Sequence, residues 1–332
     1  MKKNILVFIL VFMIFVSFGF SKKVAIISEV LKPSTITVDN EQIYIVEKTS
    51  IYIYSLKDFK LKKKFGKDGE GPGEFKIFAN VFPQKDSLLI NSLGKLSYYT
   101  KDGILKKELK TKSGFGSLLF YPIKNGFVGR GFTTKDKKYY LTVNLFDSDL
   151  NKGKELYRMI SPTQQTGKIN ILSRSLVYQT HSDKIFITGK EGFGLDILDN
   201  TGKKLYSIVR EDYKKRKFTS EDEKKFRETL KLLYRAQYDR IKSRISFPNY
   251  FPEILNFFIA DNKIYISTWK WENEKIEFFI YGLKGKLIKH LFIPFVFQNA
   301  LQPYPAVIKN GKLYQLIEND EEEWELHITD IK

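Results

Sequence analysis

The chain contains no cysteine in its 332 residues. Disulfides, lipid-modified cysteines and cysteine nucleophiles are therefore excluded, and a chain of this length can be stable on its hydrophobic core alone. A Gly-x-Ser-x-Gly nucleophile elbow is also absent, and no Gly-Lys-Ser/Thr follows the glycine-rich segment at residues 65–75. The sequence therefore offers neither a serine-hydrolase nucleophile nor a phosphate-binding loop.

Acidic residues are outnumbered, since 38 Asp and Glu stand against 56 Lys and Arg, for a formal net charge of +18. Such a charge raises the question of nucleic-acid binding. However, the sequence has no RNP motif, no zinc module and no Lys/Arg run longer than four residues. Most positive charges are lysines in the outer strand and turns of each repeat, where lysine prevents pairing between sheet edges. Nucleic acid is not an expected partner, whereas weak association with an anionic envelope surface stays open.

The longest apolar run covers residues 5–20 and lies between Met1-Lys2-Lys3-Asn4 and the small residue Ser21. A basic start, an apolar stretch and small residues in this order are typical of a secretory signal peptide. The apolar run has 16 residues, fewer than the ~20 that a membrane-spanning helix needs. We predict that residues 1–21 are a signal peptide and that the protein is exported to the periplasm or the extracellular space. An uncleaved membrane anchor is the alternative.

One short apolar strand recurs six times along the chain, at residues 41–47, 86–92, 125–131, 183–189, 262–268 and 311–317. A second apolar strand, a polar turn and a lysine-rich third strand follow each copy. The alternation of apolar residues indicates strand and not helix. Most copies are separated by about 40–50 residues, which is typical of propeller blades.

Six such units predict an all-β fold, a six-bladed β-propeller over residues 22–332. The sixth unit has no room for a fourth strand before Lys332, whereas residues 23–30 form a spare strand ahead of the first unit. We therefore predict that this N-terminal strand completes the last blade. It would close the ring and remove an exposed sheet edge.

A glycine-rich linker joins the first two units, and its sequence at residues 65–75 is Phe-Gly-Lys-Asp-Gly-Glu-Gly-Pro-Gly-Glu-Phe. It resembles the Phe-Gly-x-x-Gly-x-Gly-Pro-Gly-Glu-Phe linker of NHL-type six-bladed propellers, including the exported bacterial group known as six-bladed β-propeller proteins. The resemblance is specific in this linker and diffuse elsewhere. It implies the ring fold and an exported location. It implies no chemistry, because such rings serve as enzymes, as binders of sugars or peptides, and as scaffolds.

Residues 211–247 interrupt the strand pattern between blades 4 and 5. Ser220 and Glu223 form a predicted capping box. Apolar residues then recur at helical spacing, and they predict one helix of roughly 25 residues. These residues are Phe226, Leu230, Leu233, Tyr234, Tyr238, Ile241 and Ile245. This insertion should leave the ring on the face that carries the mouth of the central channel. It serves either to stabilise the ring by packing or to form a lid or wall of a ligand site.

Candidate ligand-binding residues lie in the loops of that face. Arg130 stands between two glycines after a core strand, and Trp269 and Trp271 flank Lys270, so that alternation places both indoles on one side. The indoles could stack on a sugar or a peptide, or could serve core packing. Arg130 could reach the channel or form a surface ion pair. Glu70 in the linker and Lys190 in another loop complete the set.

The residues favour binding over catalysis, and no catalytic residue is predicted. The preferred interpretation is an exported, non-catalytic propeller that binds an unknown protein, peptide or carbohydrate. The alternative is a metal-dependent hydrolase or lyase of the lactonase type, which uses carboxylates in the channel. Calcium is the metal that this alternative implies, with weak candidate ligands at Glu47, Asn91, Asp196 and Asn273. No other cofactor is predicted.

Overall fold

The computed structural model describes residues 21–110, 119–161, 167–172, 176–188 and 192–331. Within these ranges the chain forms six antiparallel sheets of four strands each, arranged as the blades of a β-propeller. In each blade the first strand lies nearest the central axis and the fourth strand lies at the rim. The predicted fold class is therefore confirmed.

The first half of the chain supplies blades 1 to 3. Strand β1 (Ser21–Ile26) comes first but belongs to the last blade. Blade 1 contains β2 (Thr35–Val38), β3 (Gln42–Glu47), β4 (Ser50–Ser55) and β5 (Leu61–Phe65). Blade 2 contains β6 (Ala79–Pro83), β7 (Ser87–Ser92), β8 (Lys95–Thr100) and β9 (Leu105–Lys110). Blade 3 contains β10 (Phe120–Ile123), β11 (Gly126–Lys135), β12 (Lys138–Phe146) and β13 (Lys152–Ile160).

The second half supplies blades 4 to 6 and the helices. After the short β14 (Ile169–Asn170), blade 4 contains β15 (Tyr178–His181), β16 (Lys184–Thr188), β17 (Phe193–Asp199) and β18 (Lys204–Arg210). Helices α1 (Ser220–Tyr234) and α2 (Tyr238–Ile241) follow, and then β19 (Ile245–Ser246). Blade 5 contains β20 (Asn256–Ala260), β21 (Lys263–Glu272), β22 (Lys275–Gly282) and β23 (Leu287–Pro294). The short strands β24 (Phe297–Asn299) and β25 (Gln302–Pro303) lead to blade 6, which contains β26 (Ala306–Lys309), β27 (Lys312–Glu318) and β28 (Trp324–Asp330).

The hydrophobic core is divided among the interfaces between neighbouring blades. Tyr44 of blade 1 and Ile90 of blade 2, for example, are fully buried in one cluster. The rim strands are exposed to solvent by contrast, and residues 62–64 of β5 are three exposed lysines. This division follows from the sequence, because the middle strands of each repeat are apolar and the last one is rich in lysine.

Strand β1 pairs antiparallel with β28 and so completes blade 6, as predicted, although the strand covers residues 21–26 and not 23–30. The segment that follows is also fixed. Ile27 donates its backbone N–H to Trp324 O at 2.7 Å, and the Trp324 indole donates to Leu31 O at 2.8 Å. Ile27 and Val30 are buried between blades 6 and 1. The N-terminal segment therefore closes the ring through backbone pairing and through its own apolar side chains.

The inner strands of all six blades enclose an axial cavity of about 540 Å³. Hydroxyls on these strands bridge neighbouring blades, since Thr180 Oγ1 donates to Pro122 O at 2.7 Å and Thr37 Oγ1 donates to Val81 O at 3.4 Å. None of the described residues that line this cavity is Asp, Glu, Lys or Arg. The centre of the ring is therefore a neutral space in a strongly basic protein.

The helical insertion lies between blades 4 and 5 as predicted, but its helix is shorter. Thr219 is the N-cap, and its capping box uses Asp222, one position before the predicted pair. Helix α1 ends at Tyr234 because Arg235 has a φ of 42°, outside the helical region. Short 3-10 turns and α2 continue to β19, which pairs with β14. Neither helix of the described chain is long and apolar enough to cross a membrane.

Removing the closing segment should destabilise the whole ring. We expect a chain that begins at residue 33 to melt about 10 °C or more below a chain that begins at Ser21, because it loses the β1 ladder and two buried side chains. Differential scanning calorimetry measures the difference. Equal melting temperatures would show that β1 does not hold the ring closed.

A carboxylate at the closing seam makes ring stability depend on pH. Glu325 accepts hydrogen bonds from Lys23 Nζ at 2.9 Å, Asn319 Nδ2 at 3.2 Å and His327 Nε2 at 2.8 Å. Burial pushes the pKa of Glu325 upward, but these hydrogen bonds outweigh it and lower the pKa from its ordinary 4.5 to about 2. The ionised carboxylate therefore stabilises the folded state above pH 4.5, and this contribution is lost as the pH falls from about 4.5 towards 2.

Glu325→Gln should consequently lower the melting temperature at neutral pH and weaken its decline between pH 4.5 and about 2. Calorimetry across this pH range tests the expectation. Glu321→Gln, on the exposed loop before β28, is the matched control and should behave like the unchanged protein. An acid profile of the Glu325 variant identical to that of the unchanged protein would contradict the assignment.

Candidate functional site

A second cavity, of about 670 Å³, lies between helix α1 and blade 5. Strands alternate in direction within a blade, so the insertion leaves the ring on the same face as the turn between β21 and β22. The connection from blade 5 to blade 6 closes the third side. The apolar lining consists of Phe226, Leu232, Phe251, Trp269, Trp271, Phe297 and Ala300. The polar lining consists of Arg216, Asp222, Lys225, Glu228, Thr229 and Asn299.

The two tryptophans of β21 line this same cavity but differ in burial. Trp269 is 7% exposed and stacks on Phe251, with ring centroids 5.1 Å apart and planes 28° apart. Trp271 is 39% exposed and lies 4.5 Å from the ring centroid of Phe297. Trp269 is therefore part of the core beneath the cavity, whereas the indole of Trp271 is available to a ligand.

The helix wall is fixed by an aromatic cluster. Phe226 of α1 contacts Trp269 at 6.4 Å between ring centroids, and Phe218 stacks on Phe247 at 5.2 Å with planes 12° apart. Phe226 and Leu230 are buried. The insertion therefore packs on the ring and forms a wall of the cavity at the same time, so that the two interpretations offered by the sequence do not exclude each other.

Charged side chains around the cavity balance one another. Arg216 forms a salt bridge with Asp222, and its guanidinium lies 4.3 Å from the ring centroid of Phe251. Asp222 Oδ2 also accepts from Thr219 N at 3.0 Å and from Thr219 Oγ1 at 2.8 Å, so this carboxylate caps the helix as well. Lys225 and Glu228 add one charge of each sign. The lining is thus formally neutral, which favours a neutral ligand.

A hydrogen-bonded network behind β21 holds the tryptophan hairpin in place. Thr268 Oγ1 donates to buried Glu277 at 2.7 Å, and His290 Nε2 lies 3.0 Å from the other carboxylate oxygen. Lys270 Nζ lies 4.1 Å above the ring of Tyr213, whose pKa is raised chiefly by burial. The register shifts between Ser267 and Trp271, and such a bulge redirects side chains locally.

Arg130 and Glu70, two further predicted ligand-binding residues, lie outside this cavity. Arg130 donates from Nη2 to Leu176 O at 2.7 Å and faces the Tyr178 ring at 6.0 Å, at the junction of blades 3 and 4. Its Nε is buried without a hydrogen-bond partner among the described residues. Glu70 is an exposed linker residue that forms a salt bridge with Lys76. Lys190 lies outside the described residues.

The four candidate metal ligands lie in different blades. Glu47 accepts from Lys32 N at 2.7 Å and from Tyr52 Oη at 3.0 Å, and Asn91 donates to Ser92 O at 3.0 Å. Asp196 forms a salt bridge with Lys204 at 2.8 Å, and Asn273 lies in the β21–β22 turn. No group of three or more His, Asp or Glu in the described part of the chain could hold a metal ion together. The calcium hypothesis therefore gains no ligand set from these residues.

Sequence reasoning missed Phe297 and Asn299, which close the third side of the cavity. Asn299 Oδ1 accepts from the N–H groups of Leu301 and Gln302, at 3.0 and 3.1 Å, and so shapes the β24–β25 turn. The closely spaced aromatics Phe295 and Phe297 in a connection between blades were the available signal. An aromatic pair outside the strands of the blades indicates that such a connection packs on a neighbouring element.

Comparisons with known proteins support the fold of this chain and no more specific property. No protein-family model and no curated protein sequence matches the chain. A crystal structure of a DUF4221 family member from Bacteroides vulgatus is similar with a TM-score of 0.50 and 12% identity, over 94% of this chain and 96% of that one.

Two further solved structures have lower TM-scores. The Cps50 (Swd1) β-propeller domain of Myceliophteria thermophila gives 0.42 at 13% identity, over 94% of this chain and all of the other. A luciferin-regenerating enzyme gives 0.41 at 10% identity, over 94% and 95%. The architecture, and its likeness to the Bacteroides protein, define the chain as a six-bladed β-propeller. Identities this low show the fold alone.

The difference in burial between the two tryptophans predicts different effects on stability. Trp269→Ala should lower the free energy of unfolding by about 3 kcal/mol or more, because it leaves a cavity in the aromatic cluster. Trp271→Ala should cost less than about 1 kcal/mol, because its indole is partly exposed. Urea denaturation followed by circular dichroism measures both. Equal losses would contradict the division into a core and a ligand-facing tryptophan.

Proposed function

We propose that the protein is an exported, non-catalytic propeller that binds a carbohydrate in the cavity between α1 and blade 5. The observation that carries the proposal is the half-exposed indole of Trp271, which faces a formally neutral cavity of about 670 Å³. That volume lies in the range of small-ligand sites, ~300–1,000 Å³.

The chemistry of the lining suits a sugar. The apolar face of a pyranose ring can pack flat on Trp271, since an aromatic face is a broad apolar surface. Lys225, Glu228 and Asn299 line the cavity and supply both donors and acceptors for hydroxyl groups. A charged ligand would find no net opposite charge here. A neutral peptide segment is the alternative occupant and is an outcome of the test below.

A hydrolase or lyase function has less support. It requires carboxylates or a metal site in the channel, and no described residue that lines the axial cavity is Asp or Glu. Binding without chemistry therefore remains the preferred function, in agreement with the absence of a cysteine or serine-elbow nucleophile from the sequence.

We also propose the finer family assignment, an exported relative of the NHL-type propellers. The linker at 65–75 supports it, because its glycines have structural roles. Gly66 and Gly73 have φ values of 85° and 73°, and a Cβ on Gly66 would stand 2.5 Å from Thr49 O. Export rests on the signal-like order of residues 1–21, which lie almost wholly outside the described part of the chain.

The binding proposal is tested with soluble hexasaccharides of glucose, xylose and N-acetylglucosamine, measured by isothermal titration calorimetry. At least one should bind, and Trp271→Ala should weaken it about tenfold or more, because a central aromatic anchor is lost. Trp271→Phe should retain most of the affinity, since it keeps an aromatic face.

Tyr139→Ala is the matched control, because Tyr139 is also an exposed aromatic residue but lies in the blade 3 hairpin. It should leave binding unchanged. The proposal fails if none of the sugars binds, or if the Tyr139 variant loses as much affinity as the Trp271 variant. Binding of a neutral leucine- or phenylalanine-containing peptide instead, abolished by Trp271→Ala, would retain the site and reject the carbohydrate.

A further inference from the structure

The second half of the helical insertion is largely exposed to solvent. Every buried residue of α1 lies at or before Leu230. From residue 231 to residue 244 no side chain is buried, although this stretch includes the end of α1, two 3-10 turns and α2. The chain returns to the core at Ile245, where β19 pairs with β14. Residues 231–244, here called the protrusion, therefore stabilise the ring little.

Three consecutive large apolar residues lie exposed on the protrusion. Leu232 is 76% exposed, Leu233 is 56% exposed and Tyr234 is 45% exposed. An exposed apolar run of this kind is unfavourable in water unless a binding partner outside the chain covers it. Leu232 also borders the cavity, but the other two do not line it.

Unpaired cations surround this apolar run. Lys231 and Arg235 flank it directly, and Arg240 follows on α2. None of the three takes part in a salt bridge among the described residues. The neighbouring basic residues have partners within the protein. Lys242 forms a salt bridge with Asp239 at 2.8 Å, and Arg244 Nε donates to Gly167 O at 2.8 Å.

We propose that the protrusion docks on an anionic phospholipid bilayer. Leu232, Leu233 and Tyr234 enter the boundary between headgroups and acyl chains, as apolar residues of interfacial helices do. Lys231 and Arg235 extend their charged ends to the lipid phosphates while their aliphatic stems stay beside the apolar run. The phenol of Tyr234 suits the headgroup level, where one end of the side chain is apolar and the other is wet.

Charge and size favour a bilayer over a protein partner or a second copy. The formal net charge is +18, or +16 without Lys2 and Lys3, and it attracts the whole molecule to an anionic surface before contact and repels another copy of itself. The exposed apolar run comprises three residues with cations on both sides. A standard protein interface would instead draw about 20–30 residues from each partner.

Vesicle co-sedimentation tests the proposal with a chain that begins at Ser21, so that the apolar run at residues 5–20 does not contribute. The protein should bind phosphatidylcholine vesicles that contain about a third phosphatidylglycerol, and should bind pure phosphatidylcholine vesicles far less. Replacing Leu232, Leu233 and Tyr234 together by Ser should weaken partitioning about tenfold or more. Replacing Lys231, Arg235 and Arg240 by Gln should weaken it about fivefold for each charge removed, and raised salt should mimic this effect.

Two controls separate this surface from others. Leu287→Ser with Ile288→Ser removes two adjacent exposed apolar residues elsewhere, on rim strand β23, and should leave vesicle binding unchanged. Trp271→Ala should also leave it unchanged, so that failure of the carbohydrate proposal and failure of this one can be told apart. All substituted side chains on the protrusion are exposed, and circular dichroism checks that the fold is retained.

Several results would overturn the proposal. One is absence of binding to anionic vesicles, and another is equal binding to neutral ones. A third is equal loss of binding in the β23 control. Light scattering provides the last test. If the unchanged protein is a dimer that the Ser variant converts to a monomer, and vesicles do not bind, the protrusion is a self-association surface and not a lipid contact.

Discussion

Backbone pairing between β1 and β28 is the constraint on which the other features of the molecule depend. Without it, blade 6 would expose the backbone groups of β28 along a free edge. The same segment continues through buried Ile27 and Val30 into blade 1, so it fixes the distance between the last blade and the first. A closed ring also fixes blade 5 against blade 6. The connection that carries Phe297 lies between those two blades, and it completes the cavity that faces Trp271.

The contacts that form the cavity also stabilise the fold. Asp222 caps α1 and at the same time pairs with Arg216, which covers the ring of Phe251. Phe251 in turn supports Trp269 from below. Each of these groups is held by a partner within the protein, so a ligand need not order them on binding. The groups that remain available to a ligand are the indole of Trp271 and a few polar side chains of the cavity lining.

The sequence was sufficient to predict the repeats, the ring and its closure, because blade strands follow local apolar alternation and their number follows from counting. It could not predict burial at single positions. Alternation places Trp269 and Trp271 on one side, yet only packing against Phe251 and Phe297 makes one of them core and leaves the other half exposed. The capping box was placed one residue late, since Thr219 with Asp222 and Ser220 with Glu223 fit the same pattern equally well. Nothing in the residue types marks the break at Arg235, which is neither glycine nor proline.

The break at Arg235 coincides with a change in burial along the predicted apolar face. The pattern of apolar residues continues evenly from Phe226 to Ile245, as one long amphipathic helix would require. Burial does not continue with it. Phe226, Leu230 and Ile245 are buried, but Leu233 and Tyr234 between them are exposed. The two ends of the apolar face are therefore buried, whereas Leu233 and Tyr234, directly before the break at Arg235, are exposed. Apolar residues at these positions do not stabilise the packed helix, and this is the physical reason to expect a contact for them outside the chain.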